Sequence, residues 1–226
     1  MNNALAPLWL TLQVSALATA LASIVGVACA RALGRARSWP RDVAESILTL
    51  PLVLPPSVLG YYLLVVLGRH GAIGAWLHDA FGIDLIFTWQ AATLAAAVTA
   101  FPLILRAARA AFADVDAQCE HAARTLGMNE WLVFLRVTLP LAWRGVLAGA
   151  LLALARAMGE FGATLMVAGS LPGRTETLSI AIYNAVMAGD DARAQTLVLL
   201  ALAAALITLL FAARLLQRAS DRAGAL

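Results

Sequence analysis

The chain reads as an all-α, polytopic membrane protein with about five transmembrane helices, folded as one membrane domain over residues 1–226. Three observations predict this. Apolar residues make up 62% of the chain and charged residues 13%, with a mean hydropathy of +0.84, far from the balance of a soluble domain. Five runs, free of charge or nearly so, reach about 18 residues or more, the length needed to cross a hydrocarbon core of about 30 Å. All sixteen basic residues are Arg, and they gather in alternate connections between those runs.

The expected spans are residues 8–30, 46–68, 85–105, 145–169 and 196–213. Backbone groups in lipid must be satisfied within the segment, so these are helices rather than strands. No basic region precedes the first span and no small-residue cleavage site follows it, so it reads as a retained helix rather than a signal peptide. The apolar run 178–188 is too short to span and reads as a re-entrant or interfacial helix.

Two spans carry unusual chemistry. In the second, Pro51, Pro55 and Pro56 remove backbone donors, and each ring clashes with the carbonyl four residues back. The freed carbonyls need new partners, which a broken helix lining a passage would find, with Ser57 and exposed backbone facing it. A kink that only shapes helix packing is the alternative. In the fourth, Arg156 and Glu160 stand four residues apart on one helix face and are placed to pair. Each alone at mid-membrane would cost roughly 2.5–3.5 kcal/mol on insertion scales, so neither should face lipid. They form either a gate, with Arg156 favouring an anion and Thr164 nearby, or a static neutralising pair. The static pair is the favoured reading, because a free Arg would trap a dianion rather than pass it. Gly145 and Gly149 permit a close helix approach.

Orientation follows from the arginines. One set of connections carries Arg31, Arg35, Arg37 and Arg41, then Arg106, Arg109, Arg124, Arg136 and Arg144, then Arg214, Arg218 and Arg222. The opposite set carries only Arg69, Arg174 and Arg193. The Arg-rich set belongs in the cytoplasm, which puts the N-terminus outside and the C-terminus inside.

Several function classes are disfavoured. No G-x-x-x-x-G-K-[ST] loop occurs, so ATP, if used, must bind another subunit. A pI near 9.4 is compatible with nucleic-acid binding, but the arginines follow topology rather than one face, so no nucleic-acid partner is expected. Cys29 and Cys119 match no metal or redox spacing, and His70, His78 and His121 are scattered, so neither a metal nor another cofactor is expected. Ser57 lacks a G-x-S-x-G context and a His partner, which argues against an intramembrane protease. Gly74 and Gly82 read as turns in a short external loop.

The connection at 106–144 is polar, helix-forming and placed on the Arg-rich side. Asp114 and Asp116 stand where a helix N-terminus favours anions. Gly127 before Met128 and Asn129 resembles a helix stop, since Gly readily turns left-handed. Ala122 and Ala123 offer a side-chain-poor surface to an approaching backbone. Glu120, His121, Ala122, Ala123 and Gly127, followed by Val137, Leu139 and Pro140, resemble the cytoplasmic Glu-Ala-Ala loop of ABC importer permeases of type I. Val137 replaces the family's Ile, His121 occupies the Glu position, and the Glu sits one place early at Glu120. The resemblance implies a short helix, within a loop of about 114–140, that fits a cleft on an ATP-hydrolysing subunit. It also implies a second permease copy, two ATP-binding subunits and a periplasmic binding protein, all at the bacterial inner membrane. The chain itself is then a translocation subunit and not an enzyme.

Substrate class rests on resemblance as well. Residues 50–62, with Pro51, Pro55 and Pro56 before Tyr61 and Tyr62, resemble the second helix of molybdate permeases, and more loosely those of sulfate and tungstate permeases. Residues 155–164, with Arg156, Gly159, Glu160, Phe161 and Gly162, resemble a segment of the same oxyanion group, and 68–74 resembles its molybdate branch. The loops at 69–84 and 170–195 are too short to capture a ligand alone, which agrees with a separate receptor. An ATP-independent anion channel or carrier is the alternative from another class; no clear internal repeat supports it.

Overall fold

A computed structural model describes residues 5–34 and 38–221, with side chains described as far as Gln217. Arg35, Arg37 and Arg222, used above for orientation, lie outside the described residues, as does the side chain of Arg218. The described residues form helices joined by turns and short connections, and contain no strand. Five helices are long and apolar enough to cross a membrane.

The first span is α1 (Leu5–Leu33), longer at both ends than its uncharged core. The second is broken, as its prolines require. Its expected range holds α2 (Trp39–Thr49), a 3₁₀ turn at Leu50–Leu52 and α3 (Pro56–Leu67), and the stretch apolar enough to cross runs from Pro56 to Phe81. Pro55 is extended, with φ −56° and ψ 138°, and Pro56 opens α3 at a position where its missing N–H costs nothing. Of the two expectations for 46–68, the helix is broken rather than merely kinked.

Helix α4 (Ala72–Phe81) follows, ending on left-handed Gly82. Gly82 is a turn as expected, whereas Gly74 lies inside α4, buried against main-chain carbonyls. Helix α5 (Trp89–Ala113) begins later than expected because Thr88 caps it, accepting from the Ala91 amide. Its far end runs on through Arg106 and Arg109.

After the short helices α6 (Ala117–Thr125) and α7 (Glu130–Val133) comes one π-helical turn, Phe134–Thr138, then α8 (Leu139–Met158). The π turn has a local cause. Pro140 has no amide to give to the Arg136 carbonyl, and the ladder re-registers so that Leu139 N–H reaches the Phe134 carbonyl, five residues back. The fourth span therefore starts well before 145 and breaks at Gly159–Phe161, resuming as α9 (Gly162–Ala168). Helix α10 (Leu178–Met187) is too short to span, and α11 (Asp191–Asp221) is the fifth span.

Helix α5 is the centre of the bundle, packed between α1 and α8. Ala91, Ala92, Ala95, Ala96, Ala100 and Ile104 are fully buried along it. Apolar burial drives little association inside lipid, so close approach of small residues has to hold such helices. Gly26 faces Ile104, and Gly145 and Gly149 face Ala111 and Ala107. The Gly145–Gly149 pair thus serves contact within this chain. In contrast, only 6% of the apolar window of α11 is buried, leaving its outer face for lipid or another protein.

Charge separates the two ends. Arg31, Arg41, Arg106, Arg109 and Arg124, all from the Arg-rich connections, line one cavity of about 1140 Å³ with Asp42, Glu45, Glu120 and Glu130. Arg109 pairs with Glu45 there. Arg69 belongs to the opposite end, where its guanidinium lies 3.0 Å from His78 Nε2.

Candidate coupling surface and helix breaks

Helix α6 is built from the signals its sequence carries, with one correction. Asp116 is the N-cap, its carboxylate accepting from the Gln118 amide at 2.8 Å, whereas Asp114 closes the C-terminus of α5. At the far end Gly127 is left-handed with φ 82°, and the Met128 amide reaches back to the Ala123 carbonyl at 3.2 Å. That closing turn satisfies carbonyls the helix leaves open.

The helix is not uniformly presented. His121, Ala122, Thr125, Leu126 and Gly127 are exposed, while Ala123 is buried. Of the two alanines expected on one small-residue surface, only Ala122 is on it. Leu126, absent from the expected residues, is 78% exposed, a large apolar side chain at this tip of the helix. Its signal was available, since an apolar residue beside a helix-stopping Gly in a polar loop has nothing local to bury it.

Glu120 turns the other way. Its carboxylate accepts from the Thr138 hydroxyl at 2.7 Å and lies 3.6 Å from Arg124. Arg124 also makes a two-point contact with Glu130, at 2.7 and 3.2 Å. Hydrogen bonding to Glu130 holds the Arg124 guanidinium above its ordinary pKa. Glu120 is therefore a brace between α6 and the π turn, and His121 holds the outward position. Leu139 is half-buried at the start of α8, and Pro140 is exposed beside it.

The second assembly lies where two spans break. Helix α3 packs along α9 through small residues. A Cβ on Gly60 would sit 2.7 Å from the Met166 Cβ, and one on Gly162 would sit 2.9 Å from the Pro56 Cβ. The proline break and the Gly159–Phe161 break therefore face each other. Their depth follows from Met158, the last residue of α8, whose sulfur lies 3.5 Å from the hydroxyl of Thr208 near the middle of α11. The end of α8 is therefore level with the middle of the fifth candidate span.

Arg156 and Glu160 pair at 2.8 Å, although Glu160 lies past the end of α8 rather than on its face. Glu160 is buried, its side chain 2% exposed, and its second role is to accept from the Ala163 amide at 3.0 Å, capping α9. Arg156 is about one-third exposed. Of the residues expected on a path, Pro55, Pro56 and Ser57 are exposed, whereas Glu160 and Thr164 are buried.

A buried carboxylate that sequence reasoning left in an external loop is Glu176, 6% exposed and bonded to Asn184 Nδ2 at 2.8 Å. Asn184 also donates to Ser170, and the Leu178 amide donates to Thr11 of α1. Together these bonds fold residues 170–187 back against the bundle.

Residues 10–223 match the family of binding-protein-dependent transport system inner membrane components. The chain belongs to that family. Among its relatives, the molybdenum transport system permease protein of Escherichia coli strain K12 is 44% identical over 216 residues, 95% of this chain and 94% of that one. The putative molybdenum transport system permease protein of Bacillus subtilis is 44% identical over 82% of each chain. Among solved structures, the MetNI methionine ABC transporter in inward facing conformations matches with a TM-score of 0.75 at 18% identity, over 96% of both chains. A bacterial importer of alginate matches with a TM-score of 0.75 at 16% identity, covering 95% of this chain and 79% of that one. The fold is that of a type I ABC importer permease. This inner membrane component is a multi-pass translocation subunit, not an ATP-hydrolysing one.

Proposed function

We propose that two copies of this chain form the membrane path of a molybdate importer, with two ATP-binding subunits on the cytoplasmic side and a periplasmic oxyanion-binding protein outside. The observation that carries the substrate is the 44% identity to the Escherichia coli molybdenum permease protein over nearly both whole chains. The outward residues of α6, His121, Ala122, Leu126 and Gly127, dock the ATP-binding subunit. The anion passes the exposed break at Pro55, Pro56 and Ser57, with Arg156 beside it and Glu160 and Thr164 behind. Conduction requires weak sites, and pairing with Glu160 keeps Arg156 from holding a dianion tightly. Family transport is binding-protein-dependent, which disfavours a channel or carrier working alone.

A deletion strain is expected to need high external molybdate for molybdoenzyme activity, and low-concentration uptake should return with the intact gene. Sulfate is the second reading, favoured by a 33% identity over 201 residues to a probable sulfate transport permease protein of Chlorella vulgaris. Loss of sulfate assimilation with normal molybdenum content would decide for it. Tungstate uptake, measured in parallel, separates the third oxyanion.

The orientation places the N-terminus in the periplasm and the C-terminus in the cytoplasm. It rests on the arginine asymmetry and on the convergence of five of those arginines at one end of the bundle. Cys119 is exposed on α6 and serves as a native probe. An impermeant thiol reagent should leave it unmodified in intact spheroplasts and modify it in inside-out vesicles. A cysteine at exposed Ala80, in a Cys119→Ser background, should show the reverse. Swapped accessibilities would refute both orientation and docking.

A further inference from the structure

We infer that Glu130 is a positioning residue for energy coupling, joining α6 to the first span as well as the fourth. The inference rests on the docking reading proposed above and adds a route by which displacement of α6 reaches α1. Glu130 bonds in two directions at once. Its carboxylate holds Arg124 of α6 by two hydrogen bonds, at 2.7 and 3.2 Å. Its main-chain carbonyl accepts from Arg31, in the last turn of α1, at 2.6 Å. The Arg31 guanidinium also lies 4.3 Å over the ring of Phe134, the first residue of the π turn. Glu130 opens α7, so one residue touches the end of α1, the last turn of α6 and the start of the fourth span.

The covalent connection between α6 and α7 would transmit little by itself. It turns at left-handed Gly127, and exposed Asn129 is fixed only as the cap of α7. Two non-covalent braces bridge this turn, Arg124–Glu130 and Glu120–Thr138. The first continues to α1 through the Glu130 carbonyl, which accepts from Arg31. The Glu130 side chain is 66% exposed and that of Arg124 36%. Ion pairs this exposed add little to folding stability. A two-point pair set across a turn, joining three elements, instead fixes their relative geometry. Helix α1 packs along both α5 and α8, so movement delivered at Arg31 enters the centre of the bundle.

The test uses the full importer, with its ATP-binding subunits and binding protein, in proteoliposomes. The readout is anion imported per ATP hydrolysed. Glu130→Gln keeps size and loses charge; it should retain the ATP-binding subunit on co-purification and retain ATP hydrolysis, while import per ATP falls about three- to tenfold. Arg31→Gln, which touches neither α6 nor its outward face, should give the same fall and stands in for Glu130→Gln if that variant does not insert. The exchange Arg124→Glu with Glu130→Arg should recover part of the ratio. Unchanged import per ATP in Glu130→Gln or Arg31→Gln overturns the relay and leaves docking intact. Loss of the ATP-binding subunit in Glu130→Gln assigns the residue to docking and equally overturns the relay. Failure of docking itself is read separately, from Leu126→Asp.

Discussion

Leu126→Asp is expected to abolish ATP-driven uptake while the protein still inserts and the bundle still forms. Leu126 is 78% exposed, so the substitution leaves the fold unharmed. Burying a Leu side chain against a partner contributes about 1.5–3 kcal/mol. At 1.4 kcal/mol per tenfold, its loss alone weakens docking about tenfold to a hundredfold. A buried, unpaired Asp carboxylate adds a further penalty, so the complex should not survive purification. Gly127→Trp should act in the same direction by two routes. It strains a backbone at φ 82°, at a cost of about 1–3 kcal/mol, and adds bulk where open space surrounds the glycine. The measurements are co-purification of the ATP-binding subunit and uptake into proteoliposomes that carry ATP inside and the binding protein outside. Normal values for both in Leu126→Asp would remove α6 from the docking surface.

The second large effect is expected at Glu160. Glu160→Leu leaves the partly buried Arg156 without its carboxylate and removes the hydrogen bond to the Ala163 amide at the start of α9, which together should cost about 2–3 kcal/mol and lower the thermal midpoint in detergent. The double variant Arg156→Leu with Glu160→Leu removes both charges, and replacing a whole buried pair by apolar groups is often tolerated. Its thermal midpoint should therefore recover most of the loss. Uptake by the double variant then discriminates between the two roles. A stable but inactive double variant places Arg156 on the passage. A stable and active one makes the pair a static brace, and Arg156 leaves the proposed path.

The two breaks show how far local chemistry reaches. Pro51, Pro55 and Pro56 dictate an interruption wherever they fall, because a missing donor and a ring clash are properties of the residue itself. The interruption was therefore legible, while the choice between a broken helix and a simple kink was left to the tertiary structure. The interruption at Gly159–Phe161 was not legible, because no proline marks it and Arg156 and Glu160 read equally well as an i, i+4 pair on a continuous helix. What reveals it is the Glu160 carboxylate bonded to the Ala163 amide, a cap that only a new helix start needs. Similarly, Asp114 and Asp116 are equivalent as sequence signals, and only the length of α5 decides that the first closes one helix and the second opens the next.

Five crossings, the alternation of arginines and the position of α6 in the Arg-rich connection were determined by the sequence alone. Each depends on run length, on the cost of charge in lipid, or on a residue's own backbone chemistry, and these act locally. The tertiary structure decided which side of α6 faces outward. Rotation about a helix axis is set by what the helix packs against, and here Glu120 on Thr138 and Arg124 on Glu130 turn Ala123 inward and Leu126 outward. It likewise decided that Arg31 meets a carbonyl 99 residues away and that Pro56 meets Gly162. Contacts at such separation leave no periodic trace in a single sequence, because each partner reads as an ordinary residue of its own helix.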